Sequence, residues 1–153
     1  MGISTATIEM RTPEVIRERL HELVKATRTV IVLSCAPEEP AGEGDQIDGR
    51  PMALVKTGDD TTMYLATALD AKQAAELERA RVTVVVQGAD YALFSGEARV
   101  SRDRALIDEL WAPSWRQWCR GKRDPAIAIV IVTPIEGSYW EDTNRHSYMF
   151  RLL

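Results

Sequence analysis

Two cysteines and two histidines are all that the 153 residues contain, and this scarcity removes whole classes of chemistry. Cys35 and Cys119 lie far apart and form neither a CxxC redox pair nor a zinc-ligand spacing. They read as small apolar side chains buried in a reducing compartment. His21 falls in a charged helical stretch and His146 in a polar turn, each without a second ligand at metal spacing, so no metal centre is expected. The phosphate loop GxxxxGK[ST], the nucleophile elbow GxSxG and the HExxH helix are all missing; Gly121-Lys122 has the wrong neighbours for the first of these. Gly42-Glu43-Gly44 lacks the third glycine of a dinucleotide fingerprint, and Glu43 and Asp45 would repel a pyrophosphate. A general excess of basic charge is also missing: 19 Lys and Arg stand against 23 Asp and Glu, for a net charge of −4. Nucleic acid is therefore not an expected partner. No apolar run approaches the roughly 20 residues of a membrane helix, and residues 1–15 hold no signal-peptide core. The expected location is the cytoplasm, without membrane attachment.

What is present is a composition able to build a core, 45% hydrophobic and 27% charged, most simply as one domain over residues 1–153 with its core at about 13–141. Thr12-Pro13 reads as an N-cap followed by a first-turn proline. Val15, Ile16, Leu20, Leu23 and Val24 then recur at helical spacing, which predicts a helix over 13–26. TVIVLSC (29–35) predicts a buried strand, and the Pro/Gly/acidic stretch 36–49 a loop. RPMALVK (50–56) and TTMYLAT (61–67) flank the turn TGDD and predict a hairpin, followed by a helix over 71–80 with Asp70 as N-cap. RVTVVVQ (81–87) and YALFSGEARVS (91–101) predict a second hairpin, with Gly96 marking a bulge or a close backbone approach. Helix returns at 103–110, breaks at Pro113 and resumes briefly in SWRQWCR. AIAIVIVTPIEGSYWE (126–141) is a long strand bent at Pro134 and Gly137, and HSYMFRLL either adds an edge strand or stays loose. The expected class is α+β dominated by β: a six-stranded, mostly antiparallel split β-barrel with flanking helices.

Candidate chemistry concentrates at strand ends. Arg50 opens one strand of the first hairpin, Thr67 closes the other, and Lys72 occupies the first turn of the next helix. A guanidinium, a hydroxyl and a lysine beside free helix N–H groups suit a phosphomonoester. The bland reading makes Lys72 a solvated surface lysine and Arg50 a rim charge. Trp111, Trp115 and Trp118 fall on one helical face if Pro113 permits it, and Tyr139-Trp140 ends the long strand. Such rings can wall a flat ligand, although a tryptophan stripe is more often core or subunit interface.

Taken in order, GRPMALV, YLAT…K…EL, RVTVVV, YALFSGEARVSRDRALIDELW and IVIVTPIEGSYW resemble the general stress protein 26 family. That family belongs to the pyridoxamine 5′-phosphate oxidase-like, FMN-binding split-barrel proteins. The resemblance covers about residues 13–141 and implies a homodimer with a flavin in a cleft between the two copies. The implied flavin is FMN, with FAD or another flavin as alternatives. Carried over by position, Arg50 matches the arginine that reaches the phosphate, and Thr67 a phosphate-side hydroxyl. The backbone near Met52 and Leu65 would line the isoalloxazine edge. Tyr91, Trp111, Trp118 and Trp140 match family aromatics. The family reads Thr-x-x-x-Ser-x-Lys at the phosphate end; here those places hold Thr67, Ala71 and Gln73, with the lysine one place earlier at Lys72. The implied function is a flavin-binding general stress-type protein with flavin-dependent oxidoreductase activity. The alternative is a non-catalytic dimeric binding module or sensor in which flavin binding has weakened or been lost. Pyridoxamine phosphate oxidation itself is not expected, because no second phosphate site is visible.

Overall fold

The computed structural model describes residues 13–35, 47–141 and 147–151. In chain order the elements are helix α1 (Pro13–Ala26), strands β1 (Thr29–Cys35), β2 (Ile47–Thr57) and β3 (Met63–Ala68), helix α2 (Ala71–Leu77), strands β4 (Arg81–Gln87) and β5 (Tyr91–Ser101), helix α3 (Arg104–Leu110), a 3-10 turn (Pro113–Gln117), and strands β6 (Ile127–Trp140) and β7 (Ser147–Arg151). The strands lie in the order β3-β2-β1-β4-β5-β6-β7, and β3 also pairs with β6. That extra pairing closes six antiparallel strands into a barrel and leaves β7 as an added edge strand. Closure removes the free edges that an open apolar sheet would otherwise expose.

Strand β6 does two jobs along its length. Residues 127–132 pair with β3, residues 136–140 pair with β7, and the other edge pairs with β5 between residues 129 and 140. Pro134 falls in the gap between the β3 and β7 partners, where a residue without an N–H costs the sheet least. Opposite it the β5–β6 register slips between Ser95 and Gly96, and a Cβ on Gly96 would stand 2.4 Å from the Thr133 carbonyl oxygen. Gly96 thus marks both a bulge and a close backbone approach, as its place in a strand suggests.

Alternation sorts the side chains into two cores. Val30, Val32, Met52, Leu65, Val82, Val84, Phe94 and Val132 fill the barrel interior, with Ile16, Leu20, Leu23 and Val24 of α1 joining the same cluster. Val15, expected on that face, is instead 38% exposed. On the outer side of β2, β3 and β6 a second cluster gathers Ala66, Ile127 and Ile129 with Ile107 of α3 and Trp115 of the 3-10 turn.

Several expected boundaries move for identifiable reasons. Strand β2 begins at Ile47, because all seven residues of β1 pair with residues 47–53. The rest of the acidic loop, with Cys35's side chain, Thr12 and His146, lies outside the described positions. Helix α2 stops at Leu77 and not at residue 80, since Arg79 takes φ 63° and the backbone turns to exchange hydrogen bonds with Ala98. Pro113 opens a 3-10 turn after α3 ends, so the three tryptophans do not ride one continuous helix.

Candidate functional site

Thr67 leaves the β2–β3 ladder just past its last pair, Ala53 with Ala66, while its own partner is Ala128 on β6. Arg50 leaves the same ladder end on the other strand and pairs with Val32 of β1. At this end a cleft of about 760 Å³ opens between Pro51–Val55 of β2, Ala66–Ala68 of β3, Arg28-Thr29, and the segment carrying Ser114, Trp115, Gln117 and Trp118. Its aromatic wall is built: Trp115 is buried, stacks on Trp118 at 5.4 Å, and meets Trp111 edge-on at 5.4 Å. Trp118 therefore has a fixed plane supported from behind, which suits a flat ligand.

Of the residues singled out from the sequence, Met52, Thr67 and Trp118 line this cleft. Leu65 is fully buried inside the barrel, and Trp111 backs the aromatic wall without lining the cavity. Arg50 is partly exposed and sits 3.8 Å from Asp48, a weak surface pairing. Lys72 is exposed on α2. Tyr91 and Trp140 are direct cross-strand partners at the far end of β5 and β6. From Ala128, beside Thr67, to Trp140 runs a dozen residues of β6, roughly 40 Å at about 3.3 Å per residue. One copy of the chain does not bring Tyr91 and Trp140 to the cleft.

At the strand-to-helix junction after Thr67 the expected N-cap, Asp70, is in place, and two further features were not foreseen: the return bond from Gln73 and the ties made by Arg102. Asp70 Oδ1 accepts the Gln73 N–H at 2.7 Å, and Gln73 Oε1 accepts the Asp70 N–H at 3.0 Å. This reciprocal capping box was written in the D-x-x-Q spacing. It spends a first-turn donor and places a carboxylate where a phosphate was expected. Arg102 then ties the junction to the loop before β6. One guanidinium nitrogen donates to the Leu69 carbonyl at 2.9 Å, and the other to those of Pro125 and Ile127 at 3.0 and 3.2 Å. Leu69 N–H donates in turn to the Ala126 carbonyl.

A second cleft, of about 660 Å³, lies between α1 and the β4–β5 turn and shares Arg28 and Thr29 with the first. At its base the buried Tyr139 hydroxyl donates to Asp90 Oδ2. Burial and that carboxylate push the Tyr139 hydroxyl pKa well above its ordinary value. Buried Glu141 pairs with Arg19 at 3.1 Å. Cys119 is half-buried against the tryptophans, its thiol turned to the Gly121 carbonyl, and not fully buried as expected. Among the described residues no cluster of His, Cys, Asp or Glu could hold a metal, and no helix is long and apolar enough to cross a membrane.

Residues 16–153 match the family model described as pyridoxamine 5′-phosphate oxidase like. General stress protein 26 of Bacillus subtilis (strain 168) is 26% identical over 95 residues, covering 56% of this chain and 68% of that protein. Among solved structures, a protein related to general stress protein 26 from Clostridium acetobutylicum superposes with a TM-score of 0.72 at 17% identity, covering 92% of this chain and 96% of that one. A general stress FMN/FAD binding protein from Xanthomonas citri superposes with a TM-score of 0.64 at 24% identity, covering 84% and 90%. At these identities the superpositions establish a shared fold.

Proposed function

We propose that this chain, which belongs to the pyridoxamine 5′-phosphate oxidase-like family, is a homodimeric, cytoplasmic flavin-binding protein of the general stress type, with FMN as its flavin and flavin-dependent oxidoreductase activity. The observation that carries the reading is the cleft of about 760 Å³ in which Met52, Thr67 and Trp118 meet. Its volume falls within the roughly 300–1,000 Å³ of small-molecule sites. Trp118, braced by Trp115, would face the ring system, Met52 and its neighbours would border it, and Thr67 with Arg50 and Lys72 would lie on the phosphate side. A bound isoalloxazine supplies redox chemistry, and the protein's part is to orient it and limit its exposure to water. The name of the Xanthomonas citri neighbour, an FMN/FAD binding protein, supports the flavin.

A second copy is supported by the outer face of the barrel. Pro51, Ile31, Val85 and Leu93 are successive cross-strand partners, so they form one row across four strands. Ile31 is 39% exposed, Pro51 is exposed and Val85 and Leu93 are half-buried, and an apolar row open to this degree on a closed barrel suits a two-fold interface. A dimer also offers a route by which Tyr91 and Trp140 of one copy reach the cleft of the other. The sensor reading keeps one observation in its favour, the capping box that puts Asp70 at the phosphate end. Purified protein reconstituted with FMN and measured by absorption spectroscopy and light scattering tests the proposal. A dimer carrying stoichiometric yellow flavin, reduced by a chemical donor and reoxidised in turnover, is the expected result. A colourless monomer refutes it, and a flavin that binds without turnover assigns the sensor role.

A further inference from the structure

The second cleft, between α1 and the β4–β5 turn, has no part in the flavin reading, yet its walls are firmly held. Its volume of about 660 Å³ is that of a small-molecule site, and Leu23, Ala26, Gly88 and Ala89 give it an apolar lining. The turn lies close against the helix, where a Cβ on Gly88 would stand 3.0 Å from Leu23 Cδ1. Gly88 N–H donates to the Asp90 carbonyl at 2.9 Å and closes the turn. Arg28, between α1 and β1, is fixed through its backbone, since its carbonyl accepts the Leu54 N–H at 2.8 Å.

The charges around this cleft are Arg19, Glu22, Arg28 and Asp90 in its lining and Glu141 beside Arg19. Most of them are engaged. Asp90 accepts the buried Tyr139 hydroxyl, and Glu141 holds one nitrogen of Arg19 at 3.1 Å. Glu22 is exposed and follows Arg19 by three places, the spacing at which opposite charges meet on a helix. Carbonyls at the end of α1 would repel an anion, but Thr27 covers two of them. Its hydroxyl donates to the Leu23 carbonyl at 2.7 Å and its N–H to that of Val24 at 3.1 Å. What remains is Arg28. Its guanidinium has no acceptor among the described residues, and Arg28 lies on the wall that the two clefts share.

We propose that the second cleft is a binding site for a small organic carboxylate with an apolar body. The Arg28 fork takes the two carboxylate oxygens, and the body displaces water from Leu23 and Ala26. A phosphate matches the fork as well, but Glu22 and Asp90 in the same lining oppose a doubly charged group more than a singly charged one. The site lies outside the cleft of Met52, Thr67 and Trp118, so it stands or falls apart from the flavin reading.

Calorimetric titration of the full chain, without flavin, compares benzoate with benzamide, which has the same shape and no charge. Benzoate should bind about tenfold or more tightly than benzamide, because it alone makes charged hydrogen bonds. Arg28→Gln should bring benzoate down to the affinity of benzamide while benzamide stays within about twofold of wild type. Ala26→Leu fills this cleft and does not touch the first, so it should weaken both probes. Both positions are exposed, and both variants should melt within about 2 °C of wild type. Equal affinity of wild type for the two probes overturns the proposal, as does binding of neither. Benzoate affinity that survives Arg28→Gln or Ala26→Leu overturns it too, because the probe then sits elsewhere. Should either variant fail to fold, the contrast between the probes in wild type still decides.

Discussion

Replacing Gly96 with alanine would place a Cβ 2.4 Å from the Thr133 carbonyl oxygen, 3.1 Å from its carbonyl carbon and 3.2 Å from Val132 Cγ1. Even close carbon–oxygen contacts in sheets sit near 3.3 Å, so the new methyl is short of room by about 1 Å. The obstruction is backbone and cannot swing aside. It belongs to β6 next to Pro134, where that strand changes partner from β3 to β7. Making room means parting β5 from β6 in the middle of their ladder. Overpacking of this kind costs about 1–3 kcal/mol, and the upper half of that range applies when backbone must move. For a chain of this length each kcal/mol lowers Tm by roughly 2–4 °C, so Gly96→Ala should lose about 4–12 °C. The control is Gly49→Ala, whose Cβ would meet only Leu33 Cδ2, the mobile end of a side chain, at 3.0 Å. It should stay within about 2 °C of wild type, because the leucine can rotate away. Thermal melts followed by circular dichroism at fixed protein concentration decide the matter. If Gly96→Ala melts with wild type while Gly49→Ala falls, close approach at the bulge is not what glycine provides there.

Two further substitutions probe the site and its support. Arg50→Ala should weaken FMN about ten- to a hundredfold and leave riboflavin nearly unchanged, if the guanidinium exchanges its 3.8 Å pairing with Asp48 for a phosphate; titration showing equal losses would assign Arg50 a packing role. Tyr139→Phe removes a buried hydroxyl that donates to the Asp90 carboxylate, worth about 1.5–3 kcal/mol. A fall in Tm of roughly 3–12 °C is expected, and an unchanged melt would show that water replaces the bond without loss.

The barrel was legible because its strands are rich in β-branched residues and bounded by turn residues, signals that depend on local sequence alone. β4 and β5 occur at the expected residues for that reason, and Gly96 within a strand announced its own bulge. What was illegible depended on partners distant in sequence. Nothing near Asp48 says that β1 will draw the chain into pairing from Ile47 onward, and nothing near Arg79 says that Ala98 will end α2 early. The tryptophan spacing of four and three was a true signal of contact read through the wrong element. Trp111, Trp115 and Trp118 do pack on one another, but across the break at Pro113 and not along one helix.

The candidate site divides along the same line. Thr67 and Arg50 could be placed at one end of the barrel because a hairpin fixes which strand ends are neighbours, whereas Met52 came only from the family resemblance. The arginine that organises the surroundings of Thr67, Arg102, could not be so placed, since its three carbonyl partners lie 23 to 33 residues away in sequence. Position along a motif also said nothing of the far end of β6, where Tyr91 and Trp140 face each other at a distance from Thr67 that no side chain spans. If those aromatics do serve a flavin, they serve one held by the other copy, and the site exists only in the dimer. Flavin affinity and dimer formation must then be linked: each would strengthen the other by the same factor, and diluting the dimer below its dissociation constant should release flavin in step with monomer.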